Sequence, residues 1–191
     1  MKVYTRTGDG GESSLYNGER RKKDDAIFEA LGATDELNAQ IGLCRAHISA
    51  GSAAQENLCN ELDDIMSRLF DVGSAVATPR GSASDAKLTR TAFGDQHASL
   101  LEKAIDSMDA ALPPLKNFIL PSGGVAAAQL HVARTFARRA ERRVVPLVSD
   151  GIVEKSVGVY LNRLSDYLFV AARYAAKAQG EEEIVYKKER Q

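Results

Sequence analysis

Five arginines and one glutamate, Arg134, Arg138, Arg139, Glu141, Arg142 and Arg143, fall within ten positions of one another. Guanidinium groups grip phosphate oxygens in a planar fork, so the chemistry such a cluster could serve is the binding of a phosphorylated substrate or the stabilisation of a departing phosphate. Placement decides between that role and a solvated helix face. Arg134, Arg138 and Glu141 step by four and three, which puts them on one stripe about 100° around a helix from the apolar stripe Ala133, Ala137 and Ala140. The same offset separates Asn162, Asp166, Phe169 and Arg173 from Leu161, Ser165, Leu168 and Ala172, and Asp35, Asn38, Gly42 and Arg45 from Thr34, Leu37, Ile41 and Cys44. Three helices thus carry polar stripes at the margins of their buried faces. Two readings stay open. In one, these are ordinary surface ladders, with Glu141 offsetting Arg138, three residues before it, at roughly 0.2–0.5 kcal/mol. In the other, the stripes line a cleft between helices, where partial burial requires pairing and Asp35 with Arg134 is the natural candidate.

The second concentration of chemistry is Thr5-Arg6-Thr7-Gly8-Asp9-Gly10-Gly11-Glu12-Ser13-Ser14, which supplies hydroxyls, a base, and glycines whose backbone N–H groups can converge on an anion. It lacks the Gly-x-x-x-x-Gly-Lys-Ser/Thr spacing of a P-loop and does not lead from a well-formed strand into a helix, so P-loop and Rossmann folds are disfavoured. Lys22 and Lys23 add phosphate contacts or form a helix lead-in. His47, His97 and His131 match no zinc spacing and are expected to be packed or surface imidazoles without a role. No Glu-x-x-His pairs for a di-iron bundle occur. Ser122 lies in Pro-Ser-Gly-Gly rather than a nucleophile elbow, so hydrolase chemistry has no support.

The elements that must position these groups are helical. Residues 3–24 read as a loop rich in Gly, Thr, Ser and charge. Apolar positions then recur at helical period from Ile27 to Ile48, and again from Leu58 to Val76 behind a Ser52 cap and before Pro79. Arg80 to Lys87 reads as a loop and the most mobile segment. A third helix is expected from about Thr91 or Gln96 to Leu112, stopped by Pro113-Pro114, followed by the shaped connection Asn117 to Gly124. A fourth helix carries Leu130 to Val144 and is disturbed near Pro146, and a fifth carries Val157 to Ala175. Apart from short pieces near Val3-Tyr4 and Ile184-Val185-Tyr186, no strand pattern appears. The expectation is an all-α, five-helix bundle forming one domain over 1–191, with a loop over 1–24, a bundle over 25–179 and a tail over 180–191.

Composition limits the partners. With 25 Lys+Arg against 26 Asp+Glu, the net charge of -1 gives no overall pull toward nucleic acid or an anionic membrane, so any basic site is local. No apolar run reaches the roughly 20 residues of a membrane span, and patterned sequence begins too close to Met1 for a leader. Cys44 and Cys59 have no metal or disulfide spacing. A reducing, cytoplasmic setting is expected.

Taken together, Tyr4 to Gly11, Gly32-Ala33-Thr34-Asp35-Glu36-Leu37-Asn38, Phe118-Ile119-Leu120-Pro121-Ser122-Gly123-Gly124, Arg134 to Arg143 and Tyr160 to Phe169 resemble, in order and spacing, the PduO-type ATP:cob(I)alamin adenosyltransferases. The resemblance runs from Val3 to about Ala176. It implies a trimer of five-helix bundles that binds ATP between neighbouring subunits. It also implies transfer of the 5′-deoxyadenosyl group of ATP to cob(I)alamin, with release of triphosphate. By position, Thr5, Arg6, Thr7, Gly8, Asp9, Gly11 and Lys23 inherit the binding of the triphosphate with Mg²⁺, which is expected to be held by the phosphates rather than by side chains. Many members have lysine where this chain has Gly10. Arg138, Glu141 and Asn162 match nucleotide-holding positions, with Arg142 and Asp166 as neighbours. Asp35 and Arg134 match an interface ion pair that shapes the corrinoid site. Phe118 matches the residue on the lower face of the corrin, the alternative for it being a core aromatic. Tyr186 is a candidate for the tail aromatic with which some members close the site. A reductase and adenosylcobalamin-dependent enzymes are the partners implied. A non-catalytic chaperone or sensor that hands on adenosylcobalamin is the competing function.

Overall fold

The computed structural model describes residue 4, residues 6–48 and residues 51–189. A short hairpin, β1 (Glu12–Ser14) and β2 (Arg20–Lys22), precedes six helices: α1 (Ala26–His47), α2 (Ala53–Val76), α3 (Asp85–Arg90), α4 (Gln96–Ala110), α5 (Gly124–Ser149) and α6 (Lys155–Gln179). The five long helices are those the periodicity predicts, and each begins or ends on a local cause. Asp25 caps α1 by accepting the Ile27 N–H, and Ser52 caps α2 by accepting the Gln55 N–H. Gly180 closes α6 in the left-handed region, its N–H returning to the last turn.

Around the bundle the order is α2, α1, α5, α6, α4, with α2 also touching α6 across the middle. Small residues make this close approach possible. Ala126, Ala127, Ala133, Ala137 and Ala140 of α5 are fully buried, which lets α1 and α6 pack on either side of it, while Leu37, Ile41, Leu62, Leu69, Leu161, Leu164 and Leu168 fill the space between. Each fully buried leucine contributes about 2 kcal/mol of transfer free energy. Gly123 opens α5 at φ +91°, and a Cβ there would come within 2.6 Å of the Ala176 Cβ, so only glycine allows α5 to start against α6.

Three segments differ from the sequence expectation. Residues 12–22, expected as loop, form the antiparallel hairpin, with Ser13 opposite Arg21. Its strands are too short to show alternation, and Leu15 is its one buried anchor. The dipeptide Asn17-Gly18, with Gly18 at φ +92°, was the available hairpin signal. Within the expected loop at Arg80 to Lys87 a sixth, short helix, α3, begins at Asp85 without burying any residue. Finally, at Pro146, where a disturbance is expected, α5 runs on to Ser149; the Pro146 carbonyl accepts the Asp150 N–H at 2.9 Å, so the last turn closes.

Candidate functional site

The arginine-rich stretch of α5 divides by neighbour. Arg139 pairs with Glu36 of α1 and lies over the Phe136 ring at 4.5 Å, and Arg143 reaches Glu29 of α1 at 3.4 Å. These two arginines are rungs between α5 and α1. Arg138 and Arg142 are exposed, and Arg134 is half-buried with its Nε enclosed and without a hydrogen-bond partner among the described residues. Glu141 does not offset its neighbouring arginines by an ion pair; its carboxylate accepts the Asn162 amide of α6 at 2.8 Å. The structure therefore brings together Glu141 and Asn162, with Arg138 one turn before Glu141 on the same stripe. Asp166 is engaged elsewhere: Arg163 donates to it at 2.7 Å while holding Glu102 of α4 at 2.9 Å. The Arg163–Asp166 pair, three residues apart on α6, was within reach of spacing, whereas Glu102 lies on α4 and was not.

Asp35 is exposed and lines a groove of about 340 Å³ between α1 and α2, with Leu31, Asn38, Phe70 and Tyr16 around it. Glu36, one residue further on, faces α5 through Arg139. Asp35 and Arg134 thus occupy different flanks of the α1–α5 pair, and no ion pair joins them among the described residues. Pairing within one chain, the natural candidate from spacing, is not formed.

The N-terminal turn is held by its own hairpin. The Gly11 N–H donates to the Gly8 carbonyl at 3.2 Å, the Lys23 N–H to the Gly11 carbonyl at 2.9 Å, and Arg20 reaches the Thr7 carbonyl at 3.0 Å. The Lys23 ammonium lies over Gly8, 3.2 Å from where a Cβ would stand. Gly8, Gly11 and Lys23 are therefore gathered around one turn, with Asp9 and Gly10 exposed at its tip. Arg6 adopts φ 61°, a left-handed conformation uncommon for a non-glycine residue. Thr5 lies outside the described residues. At Gly10 a side chain would meet nothing within 4 Å, so the glycine there is not imposed by packing.

Phe118 is 84% exposed, which overturns the core-aromatic alternative. It sits on a strand-like segment that pairs with the tail: the Tyr186 N–H donates to the Phe118 carbonyl and the Leu120 N–H to the Ile184 carbonyl, both at 2.8 Å. Ser122 locks the pairing by accepting the Ile184 N–H at 2.8 Å. Phe118 and Tyr186 share a groove of about 430 Å³ with Leu115 and Asn117.

His131 is buried on α5, its ring 5.9 Å from that of Phe169 and its Nδ1 without a partner among the described residues. Burial, and secondarily the positive charge of Arg134, push its pKa down from 6.5 to about 4. The native imidazole stays neutral where the unfolded one takes up a proton, so its contribution is complete above pH 6.5 and lost as pH falls toward about 4. His131→Gln is expected to remove on the order of 2–3 kcal/mol of the stability lost between pH 7 and pH 4. Urea melts of both proteins at each pH measure it; equal pH dependence would show the imidazole to be solvated in the folded protein.

Among the described residues, no three His, Cys, Asp or Glu side chains converge as metal ligands, and no helix is long and apolar enough to cross a membrane.

The family model described as cobalamin adenosyltransferase matches residues 3–175. The corrinoid adenosyltransferase MMAB of Mus musculus is 52% identical over 187 residues, covering 98% of this chain and 78% of that protein. A corrinoid adenosyltransferase of Bacillus subtilis is 45% identical over 190 residues, covering 98% of this chain and 93% of its own length. Among solved structures, a variant PduO-type ATP:corrinoid adenosyltransferase from Lactobacillus reuteri, complexed with cobalamin and ATP, superposes with a TM-score of 0.87 at 36% identity, covering 98% of this chain and all of that one.

Proposed function

The chain belongs to the cobalamin adenosyltransferase family, and from that premise we propose that it transfers the 5′-deoxyadenosyl group of ATP to cob(I)alamin. The cobalt lone pair forms the bond to C5′, the C5′–O bond breaks, and its electron pair leaves with triphosphate. The nucleophile is the substrate's metal, so the protein needs no acid/base pair. It has to hold C5′ in line with cobalt and neutralise charge on the leaving group.

One observation supports a shared site in particular. The turn that gathers Gly8, Gly11 and Lys23 leads into α1, whose Asp35 lines the α1–α2 groove, while Glu141 and Asn162 are joined on the α5–α6 side with Arg138 one turn before Glu141. In a homotrimer the turn of one subunit would meet the α5–α6 stripe of the next around ATP, and Arg142 would lie beside the nucleotide. Asp166, bound to Arg163, would act only at the margin. Arg6, Thr7 and Asp9 complete the turn, with Thr5 before it. Mg²⁺ would be carried by the phosphates, neutralising them. Phe118 and Tyr186 form an exposed apolar wall suited to a corrin face, where exclusion of the lower axial ligand would ease reduction of cob(II)alamin. The cytoplasm, with a reductase supplying the electron and an adenosylcobalamin-dependent enzyme receiving product, is the setting this chemistry fits.

The test is an anaerobic assay with ATP, Mg²⁺ and chemically reduced cobalamin. Stoichiometric triphosphate and a light-sensitive cobalt–carbon product are expected; binding of both substrates without turnover would favour the chaperone or sensor.

Asp35 and Arg134 carry a second test. Each lacks an ion-pair partner within the chain among the described residues, so a pair between subunits would couple them. Removing one partner of a buried pair costs roughly 3–5 kcal/mol, against under about 1 kcal/mol for an exposed pair. Asp35→Asn and Arg134→Ala are each expected to weaken assembly or corrinoid affinity, and the double variant to lose much less than their sum. Additive losses, read by analytical ultracentrifugation and corrinoid titration, would show that no such pair forms.

A further inference from the structure

Arg173 of α6 is only 4% exposed, yet its guanidinium touches two segments that lie far apart in sequence. Its Nε donates to the Glu183 carboxylate at 3.1 Å, and its Nη2 to the Pro113 carbonyl at 2.9 Å. Pro113 begins the connection that runs through Leu115 and Asn117 to Phe118. Glu183 immediately precedes Ile184, whose carbonyl accepts the Leu120 N–H, and lies three residues before Tyr186, whose N–H donates to Phe118. One turn further along α6, Lys177 donates to the Ala111 carbonyl at the end of α4, steadying the same end of that connection.

We infer that Arg173 is a positioning residue for the corrinoid side of the reaction: a buried fork that fixes the Pro113 end of the connection and the Glu183 end of the tail at once, so that Phe118 and Tyr186 are presented together as one wall. This rests on the proposed adenosyl transfer. The physical reason is the state of the two segments. Residues 113–118 and 181–186 are largely exposed and contribute almost nothing to the core, so their pairing of two backbone hydrogen bonds and one serine contact is marginal unless both ends are tethered. A planar guanidinium does this at low entropic cost, because its donors point in fixed directions. The carboxylate it holds sits on the tail rather than on the bundle, so the tail can be detached without disturbing the core.

The clasp is tested with Glu183→Ala, Glu183→Gln and Arg173→Met in the full-length protein. Glu183→Ala and Arg173→Met are expected to speed hydrogen exchange at the Leu120 and Tyr186 amides by about tenfold or more. They should lower the rate from cob(II)alamin and a reductant by about tenfold while leaving KM for ATP within about twofold. Glu183→Gln keeps an acceptor for Nε and should restore both values to within about threefold of wild type. Should Arg173→Met fail to fold, Glu183→Ala reads the same clasp from the exposed tail. Unchanged exchange in Glu183→Ala overturns the clasp. Faster exchange with an unchanged rate from cob(II)alamin overturns its role in positioning. A wild-type protein with no turnover would overturn the proposed function, and the exchange measurement would still decide whether the clasp exists.

Discussion

Arg138→Ala is expected to lower kcat/KM for ATP by roughly 30- to 1000-fold, the equivalent of about 2–4 kcal/mol, while the melting temperature and the oligomer stay as in the wild type. Arg138 is exposed and, unlike Arg139 and Arg143, it is not a rung to α1, so its removal takes nothing from the bundle. What it would serve is triphosphate, first as bound substrate and then as leaving group. A contact made in both states raises KM, and the part that strengthens as charge gathers on the departing oxygen lowers kcat. Arg139→Ala is the control that separates this from a general loss of positive charge. It loosens the α1–α5 contact at Glu36 and should affect stability more than ATP kinetics. Steady-state kinetics with varied ATP at saturating cob(I)alamin decide the matter. If Arg138→Ala keeps wild-type ATP kinetics, the residue belongs to a solvated face and the nucleotide is held elsewhere.

That contrast between Arg138 and Arg139 marks how much of the site the sequence could carry. Helical period put Arg134, Arg138 and Glu141 on one stripe, and the structure keeps them there because α5 is regular through that stretch. The bundle was legible for the same reason: long helices repeat their signal over many turns, and the caps at Asp25 and Ser52 are local. Period cannot say which neighbouring helix a polar residue meets. Glu141 finds Asn162 and Arg163 finds Glu102, which are facts of the angle between helices, whereas Arg163 and Asp166 stand three residues apart on α6, within the reach of period. The hairpin at Glu12–Lys22 was hidden by strands of three residues, too short for alternation to register. The pairing of Phe118 with Tyr186 was hidden because the two are joined by backbone groups, which every residue carries alike. The general tendency of aromatics to be buried, which kept a core alternative open for Phe118, does not apply to it. An aromatic in an apolar run, at Phe118, would ordinarily be core, but its segment is edged by Pro121 and the tail and lies outside the bundle.

Phe118→Ala is therefore expected to separate the two stages of the reaction without touching stability. A buried phenylalanine cut to alanine costs roughly 3–5 kcal/mol, which would lower the melting temperature by well over about 5 °C in a chain of this size. At 84% exposure Phe118 has no such contribution to lose, and the melt should superimpose on that of the wild type. Its proposed work is to keep the lower ligand and water off cobalt. That work matters only while cobalt carries a lower ligand. Pre-formed cob(I)alamin has none, so alkylation from it should proceed within a few-fold of wild type, with ATP affinity unchanged. Starting from cob(II)alamin and a reductant, the variant should fall by about tenfold or more, since the state that accepts the electron is no longer favoured. Tyr186, which shares the groove and is bonded through its N–H to Phe118, sharpens the comparison. Tyr186→Ala removes the neighbouring ring but leaves the backbone pairing in place, and should show the same selective defect to a smaller degree. If Phe118→Ala instead depresses both assays equally while the melt is unchanged, the ring acts on the alkylation step itself and the exclusion of the lower ligand has to be assigned to other groups.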